Sequence, residues 1–138
     1  MHQNIDSIDP LRALNAAAAK YVIVGAYALA YHGRPRATKD VDVFVGSDSG
    51  APLDDLRPAD LATPGTFYIL GRPPNQIDII TEIDGVTFDE AWRSRVPSTY
   101  GGVAVSYVGK AELIRNKRTA GRPQDVADIA YLESAEET

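Results

Sequence analysis

Apolar and polar positions follow distinct rhythms along the chain, and each rhythm predicts an element. Over "IDPLRALNAAAA" (8–19) Leu11 and Leu14 share one side, Asp9 suits an N-cap and Pro10 the first helical position, so this stretch predicts a helix. "YVIVG" (21–25) is a short β-branched run and predicts a buried strand. "AYALAYHG" (26–33) contains good helix formers and closes on Gly33. In "KDVDVFVG" (39–46) the order alternates: Val41, Val43 and Val45 face one way, Asp40, Asp42 and Phe44 the other. Residues 46–66 lose all periodicity and carry Gly, Pro, Ser and Asp, with room for short helices at most around "PLDDL" and "PADLA".

The rhythm returns with "FYIL" (67–70) and "QIDIIT" (76–81), two strands joined by the loop "GRPPN". "VTFDEAWRSR" (86–95) is a helix opened by a capping box, Thr87 as N-cap and Glu90 at the third position. "VPSTYGGVAVSYV" (96–108) predicts a hairpin turning at Gly101-Gly102. Two helices follow, 109–121 closed by Gly121 and 122–135 started by Pro123, the second with Val126, Ile129, Ala130 and Leu132 as its apolar face. Neither a repeat nor a linker interrupts this order, so residues 1–138 predict a single domain of the α/β (α+β) class.

Composition narrows the function classes. Cysteine is absent, which excludes disulfides and thiolate metal sites. No apolar run approaches the ~20 residues of a membrane span, and "MHQNIDSIDP" lacks the pattern of a secretory signal, so a cytoplasmic protein is expected. The net charge of −5 argues against coating nucleic acid by bulk charge. The cations are nonetheless clustered. Arg34, Arg36 and Lys39 precede the Asp pair, and Lys110, Arg115, Lys117, Arg118 and Arg122 form a second group, so a local anion site is compatible with an acidic chain.

The candidate chemistry lies in the strands. Residues i and i+2 of a strand point to one face roughly 6–7 Å apart, so Asp40 and Asp42 converge. Paired carboxylates repel, and a divalent cation is the simplest compensation; the solvent face of an edge strand is the alternative. Asp78 interrupts the Ile-rich strand 76–81. If that strand lies beside "DVDVFV", three carboxylates meet. Such a set could hold two metals about 3.5–4 Å apart, as in-line phosphoryl or nucleotidyl transfer requires. Asp78 could also help deprotonate an acceptor hydroxyl. The strand–Gly25–helix turn offers backbone N–H groups to phosphate, but neither the Walker A nor the dinucleotide-binding glycine pattern is present.

Strand, glycine and helix, then D-x-D on the next strand and a lone Asp on a later one, resemble the polymerase-β-like nucleotidyltransferases. "GAYALAYHGRPRATKDVD" carries the resemblance at Gly25, Asp40 and Asp42. "RATKDVDVFV" and "ELIRNKRTAGRPQDVADIAYLE" are similar to one branch, the small bacterial nucleotidyltransferases related to AbiEii toxins and the minimal nucleotidyltransferases of toxin–antitoxin pairs. The resemblance spans about residues 10–134.

It implies a small mixed sheet flanked by helices with a C-terminal helical pair. It further implies Mg²⁺ or Mn²⁺ on Asp40, Asp42 and Asp78, and NTP contacts from Gly25, Ala26, Arg36, Thr38 and Lys117. Asp125 or Asp128 would orient the helix pair or Lys117. The implied reaction transfers NMP from an NTP to a hydroxyl of tRNA or a partner protein.

Two departures support an alternative, a catalytically degenerate binding or regulatory protein. Ala26 stands where the family usually has Gly or Ser, and residues 46–66 cannot supply the full helix expected after the D-x-D strand. Exposed apolar side chains there would favour a homodimer. A solvated D-x-D on an unrelated α/β protein is the third reading. Outside this set, His32 suits a helix C-terminus, Phe88 and Trp92 suit core packing, and Tyr27 and Tyr31 suit packing or a nucleobase.

Overall fold

The β-branched runs predicted as strands pair into the centre of one mixed sheet. The computed structural model describes residues 8–33, 41–46, 57–58, 67–72 and 75–134. Within them lie helices α1 (Ile8–Ala16), α2 (Gly25–Tyr31), α3 (Phe88–Arg93), α4 (Lys110–Ala120) and α5 (Pro123–Ser134). The strands are β1 (Tyr21–Val24), β2 (Asp42–Val45), β3 (Arg57–Pro58), β4 (Phe67–Arg72), β5 (Asn75–Ile80), β6 (Val96–Tyr100) and β7 (Val103–Tyr107). They form a seven-stranded sheet in the order β3-β4-β5-β2-β1-β7-β6. β1 runs antiparallel to β2 and parallel to β7, and β2 runs parallel to β5.

The register explains why the central strands are apolar on both sides. Tyr21, Ile23, Val43, Val45, Ile77 and Ile79 share one face, because Ile23 pairs with Val43 and Val43 with Ile79. Val22, Val24, Asp42, Phe44 and Asp78 share the other. Val43, Phe44 and Val45 are all buried, as a strand covered on both faces requires. On the second face the Phe88 ring of α3 meets Phe44 edge-on at 5.4 Å. Gly46 leaves room for it: a Cβ there would stand 2.8 Å from the Phe88 ring.

Several predicted boundaries move. α1 ends at Ala16, short of residue 19, and its C-terminus is unusual. The Ala19 N–H bonds to the Leu14 carbonyl and the Ala18 N–H to Asn15, the two bonds of a Schellman motif, with Ala18 at φ 55° where glycine is customary. β4 and β5 extend to Arg72 and Asn75, which narrows the connection predicted as 71–75. Within 46–66, Arg57–Pro58 pairs antiparallel with β4. Pro58 therefore begins no helix, and the remaining residues of the two short predicted helices lie outside the described ones.

The capping box is present: the Thr87 hydroxyl accepts from the Glu90 N–H at 3.1 Å, and Glu90 Oε1 accepts from the Thr87 N–H at 2.9 Å. The hairpin turns at Gly101 and Gly102, φ 57° and 83°, as a two-residue primed turn demands. α4 closes on Gly121 at φ 68°.

The predicted apolar face of α5 holds at Leu132, which is buried, and at Ile129, which is half-buried, and is corrected at Val126, 59% exposed, and Ala130, also exposed; Asp125 and Asp128 are buried instead. The helix turns its two aspartates inward because α4 offers them a cation.

Candidate active site

β2 and β5 bring two of the predicted carboxylates side by side. Asp42 and Asp78 are direct partners in the parallel register. Neighbouring strands lie ~4.8 Å apart and paired residues project to the same face. The Asp78 N–H donates to the Val41 carbonyl at 3.0 Å, which fixes the register one residue before Asp42. Both side chains are half-buried at the end of the sheet where β1 finishes, since Val24 is the β1 partner of Asp42. Two ionised carboxylates about 5 Å apart would repel by about 3 kcal/mol at an effective dielectric of about 20, a cost that a divalent cation would offset.

Gly25 completes this corner. It follows Val24 directly, adopts φ +70°, and a Cβ on it would stand 2.6 Å from Asp42 Oδ2. The backbone at the start of α2 thus approaches the carboxylate more closely than a side chain allows. Val24 provides no side-chain cap to α2. Ala26, the next residue, is half-buried.

Asp40, Arg36 and Thr38 lie outside the described residues. Among the described residues no group of three His, Cys, Asp or Glu side chains is placed to hold a metal. Asp42 and Asp78 supply two hard oxygen donors on one face, the donor type that Mg²⁺ and Mn²⁺ take.

Lys117 occupies a buried ion cluster between α4 and α5. Its ammonium donates to Asp128 Oδ2 at 3.0 Å and to Asp125 Oδ1 at 3.5 Å, and the residue is only 9% exposed. Arg122 closes the cluster from outside: its Nε donates to Asp125 Oδ2 at 2.7 Å and its backbone N–H to the same oxygen at 3.2 Å. These hydrogen bonds from Arg122, chiefly the side-chain one, hold the Asp125 carboxyl below the usual carboxylate range against the opposing effect of burial. The burial of Asp125 and Asp128 was not read from the sequence. The signal for it was the spacing of Asp125, Asp128 and Leu132, three residues on one helical face.

The aromatic residues near the glycine turn pack within the protein. Tyr27 is buried and meets Tyr100 edge-on at 5.4 Å. Tyr31, 39% exposed, stacks on Tyr107 at 4.3 Å. His32 caps α2, and its Nε2 lies 2.7 Å from the Val108 carbonyl, tying the helix end to the chain beyond β7. Trp92 packs partly buried against the core, with Phe88 at 6.0 Å.

No protein-family model matches the chain, and no curated protein matches it. Solved structures do. A candidate nucleotidyltransferase from Thermotoga maritima superposes with a TM-score of 0.61 at 13% identity, over 94% of this chain and 91% of that one. An antigenic nucleotidyltransferase-like protein from Paracoccidioides brasiliensis gives a TM-score of 0.56 at 17% identity, over 94% of this chain and 75% of that one. The sheet order, the helices around it and these likenesses agree on one architecture: the chain has a nucleotidyltransferase fold.

Proposed function

We propose that the chain is a metal-dependent nucleotidyltransferase that moves NMP from an NTP to a hydroxyl acceptor, an RNA such as tRNA or a protein side chain. The observation that carries the reading is the register of Asp42 with Asp78 beside the bare backbone of Gly25. The tail "NKRTAGRPQDVADIAYLE" supports a place near the AbiEii-related and minimal nucleotidyltransferases of toxin–antitoxin pairs.

In the proposed reaction the acceptor oxygen attacks the α-phosphorus, the bond to the β-phosphate oxygen breaks, and pyrophosphate leaves in line. Asp40, Asp42 and Asp78 would hold Mg²⁺ or Mn²⁺, whose charge neutralises the phosphates and the departing pyrophosphate. Asp78 takes the acceptor proton directly or through water. Gly25 and Ala26 present backbone N–H groups to the phosphates, with Arg36 and Thr38 completing the contact. Lys117, oriented by Asp125 and Asp128, would reach the nucleotide phosphates as the resemblance implies.

A second reading, a degenerate nucleotidyltransferase-fold protein that binds without turnover, is favoured by one observation. The Lys117 ammonium already serves two buried carboxylates. Incubating the protein with each NTP, Mg²⁺ and total RNA, and measuring pyrophosphate release and label transfer from α-labelled NTP, separates the two. Transfer by wild type and its loss in Asp42→Asn and Asp78→Asn supports the enzyme. Nucleotide binding with no transfer to RNA or protein supports the degenerate reading.

A further inference from the structure

A groove of about 340 Å³ lies at the opposite end of the central strands from the paired aspartates. Tyr21, which lines it, starts β1, whereas Val24, at the other end, pairs with Asp42. The two ends are about 10 Å apart along the strand. Trp92, Arg95, Asn15, Ser98 and Ser106 also line the groove.

Three features define what the groove can take. The first is a stacked pair: the Arg95 guanidinium lies 3.6 Å from the centroid of the Trp92 ring, and Lys20 Nζ stands 5.8 Å from the same centroid. The second is charge. None of the described lining residues is acidic, in a chain whose net charge is −5. Arg95 donates Nη1 to the Trp92 carbonyl at 2.7 Å and makes no ion pair among the described residues, so the cluster keeps its positive charge. The third is rigidity. The Tyr21 hydroxyl donates to Asn15 Oδ1 at 3.0 Å, and Asn15 Nδ2 donates to the Ala104 carbonyl at 2.8 Å, so this wall is held in place without a ligand.

A planar cation stacked on an indole accepts a further planar ring, and its N–H fork binds phosphate or carboxylate. The volume is in the range of small-molecule sites. We propose that this groove is a second, metal-independent binding site for a planar anion of mononucleotide size, held by Arg95 on Trp92 with Lys20 beside it. The proposal does not depend on the carboxylate site or on nucleotidyl transfer.

Trp92 is the only tryptophan, so its fluorescence reports this groove alone. The full chain, in EDTA, is titrated with AMP, with adenosine as ring without anion, and with ribose 5-phosphate as anion without ring. The expected result is saturable quenching by AMP, at least tenfold weaker binding of the other two, and AMP binding retained in Asp42→Ala. Arg95→Gln weakens AMP at least tenfold. Ser106→Phe, which fills the groove while leaving Arg95 and Trp92 in place, does the same and carries the test if Arg95→Gln does not fold. An absence of saturable quenching by AMP overturns the proposal. So does unchanged affinity in a folded Arg95→Gln or Ser106→Phe protein, or loss of binding in Asp42→Ala.

Discussion

Replacing Gly25 by alanine tests whether the backbone of the glycine turn and the Asp42 carboxylate form one unit. Two costs add in this variant. Gly25 has φ +70°, and an L-residue in that region loses roughly 1–2 kcal/mol. The new Cβ would also meet Asp42 Oδ2 at 2.6 Å, and the carboxylate must swing away from its rotamer, for about 1 kcal/mol more. Gly102 isolates the first cost, because it has φ +83° and nothing within 4 Å of a built Cβ.

Urea denaturation of Gly25→Ala, Gly102→Ala, Asp42→Ala and the Gly25→Ala/Asp42→Ala double variant forms a cycle. Gly102→Ala is expected to lose roughly 1–2 kcal/mol, and Gly25→Ala about 1 kcal/mol more. The excess should vanish when Asp42 is alanine. The reasoning fails if Gly25→Ala costs no more than Gly102→Ala, or if its excess survives the removal of the Asp42 carboxylate.

Three further outcomes follow from the geometry. Ala18 closes α1 at φ 55°, so Ala18→Gly should stabilise the protein by about 1 kcal/mol in urea; destabilisation would show that the α1 cap is not a Schellman motif. Lys117→Met removes the cation that Asp125 and Asp128 share, leaving Asp125 only Arg122, and should cost roughly 3–5 kcal/mol; a loss under about 1 kcal/mol would mean the cluster is hydrated.

The Tyr21 hydroxyl is pushed up to about 12, chiefly by burial, against an ordinary value of 10.0. The unfolded chain therefore loses this proton first as pH rises. The contribution of Tyr21, roughly 3 kcal/mol, is fully present below pH 10.0 and lost as the pH climbs through about 12. Stability measured from pH 9 to 12 should fall, and Tyr21→Phe should flatten the curve, with Tyr107, also raised by burial, leaving a residual slope; an unchanged slope would contradict the burial of this hydroxyl.

The central sheet was legible in the sequence because its strands carry β-branched residues and its turns carry their own chemistry, Gly101-Gly102 above all. Asp78 stood out because a charge interrupts isoleucines, and strand pairing then placed it beside Asp42. Other features resisted reading for physical reasons. The alanine run at 16–19 has no stop signal, since alanine favours helix, yet the local bonds of Ala18 and Ala19 close the helix there. The two-residue strand Arg57–Pro58 is too short to have a period. On α5 the polarity rule fails, because ion pairing with Lys117 buries Asp125 and Asp128 while Val126 faces outward. The Arg95–Trp92 groove arises from parts remote in sequence, the ends of α1 and α3 and the β6–β7 hairpin, which no local pattern joins.

The central claim is that Asp42 and Asp78 act together as the metal-bearing pair for a nucleotide. It is tested most directly by calorimetric titration of each NTP with Mg²⁺ present and absent, on wild type, Asp42→Asn and Asp78→Asn. The account predicts that wild type binds at least one NTP more tightly with Mg²⁺, and that each substitution abolishes the metal-dependent part while the folded baseline is kept. Wild type that shows no Mg²⁺-dependent binding, or variants that retain it in full, would contradict the account.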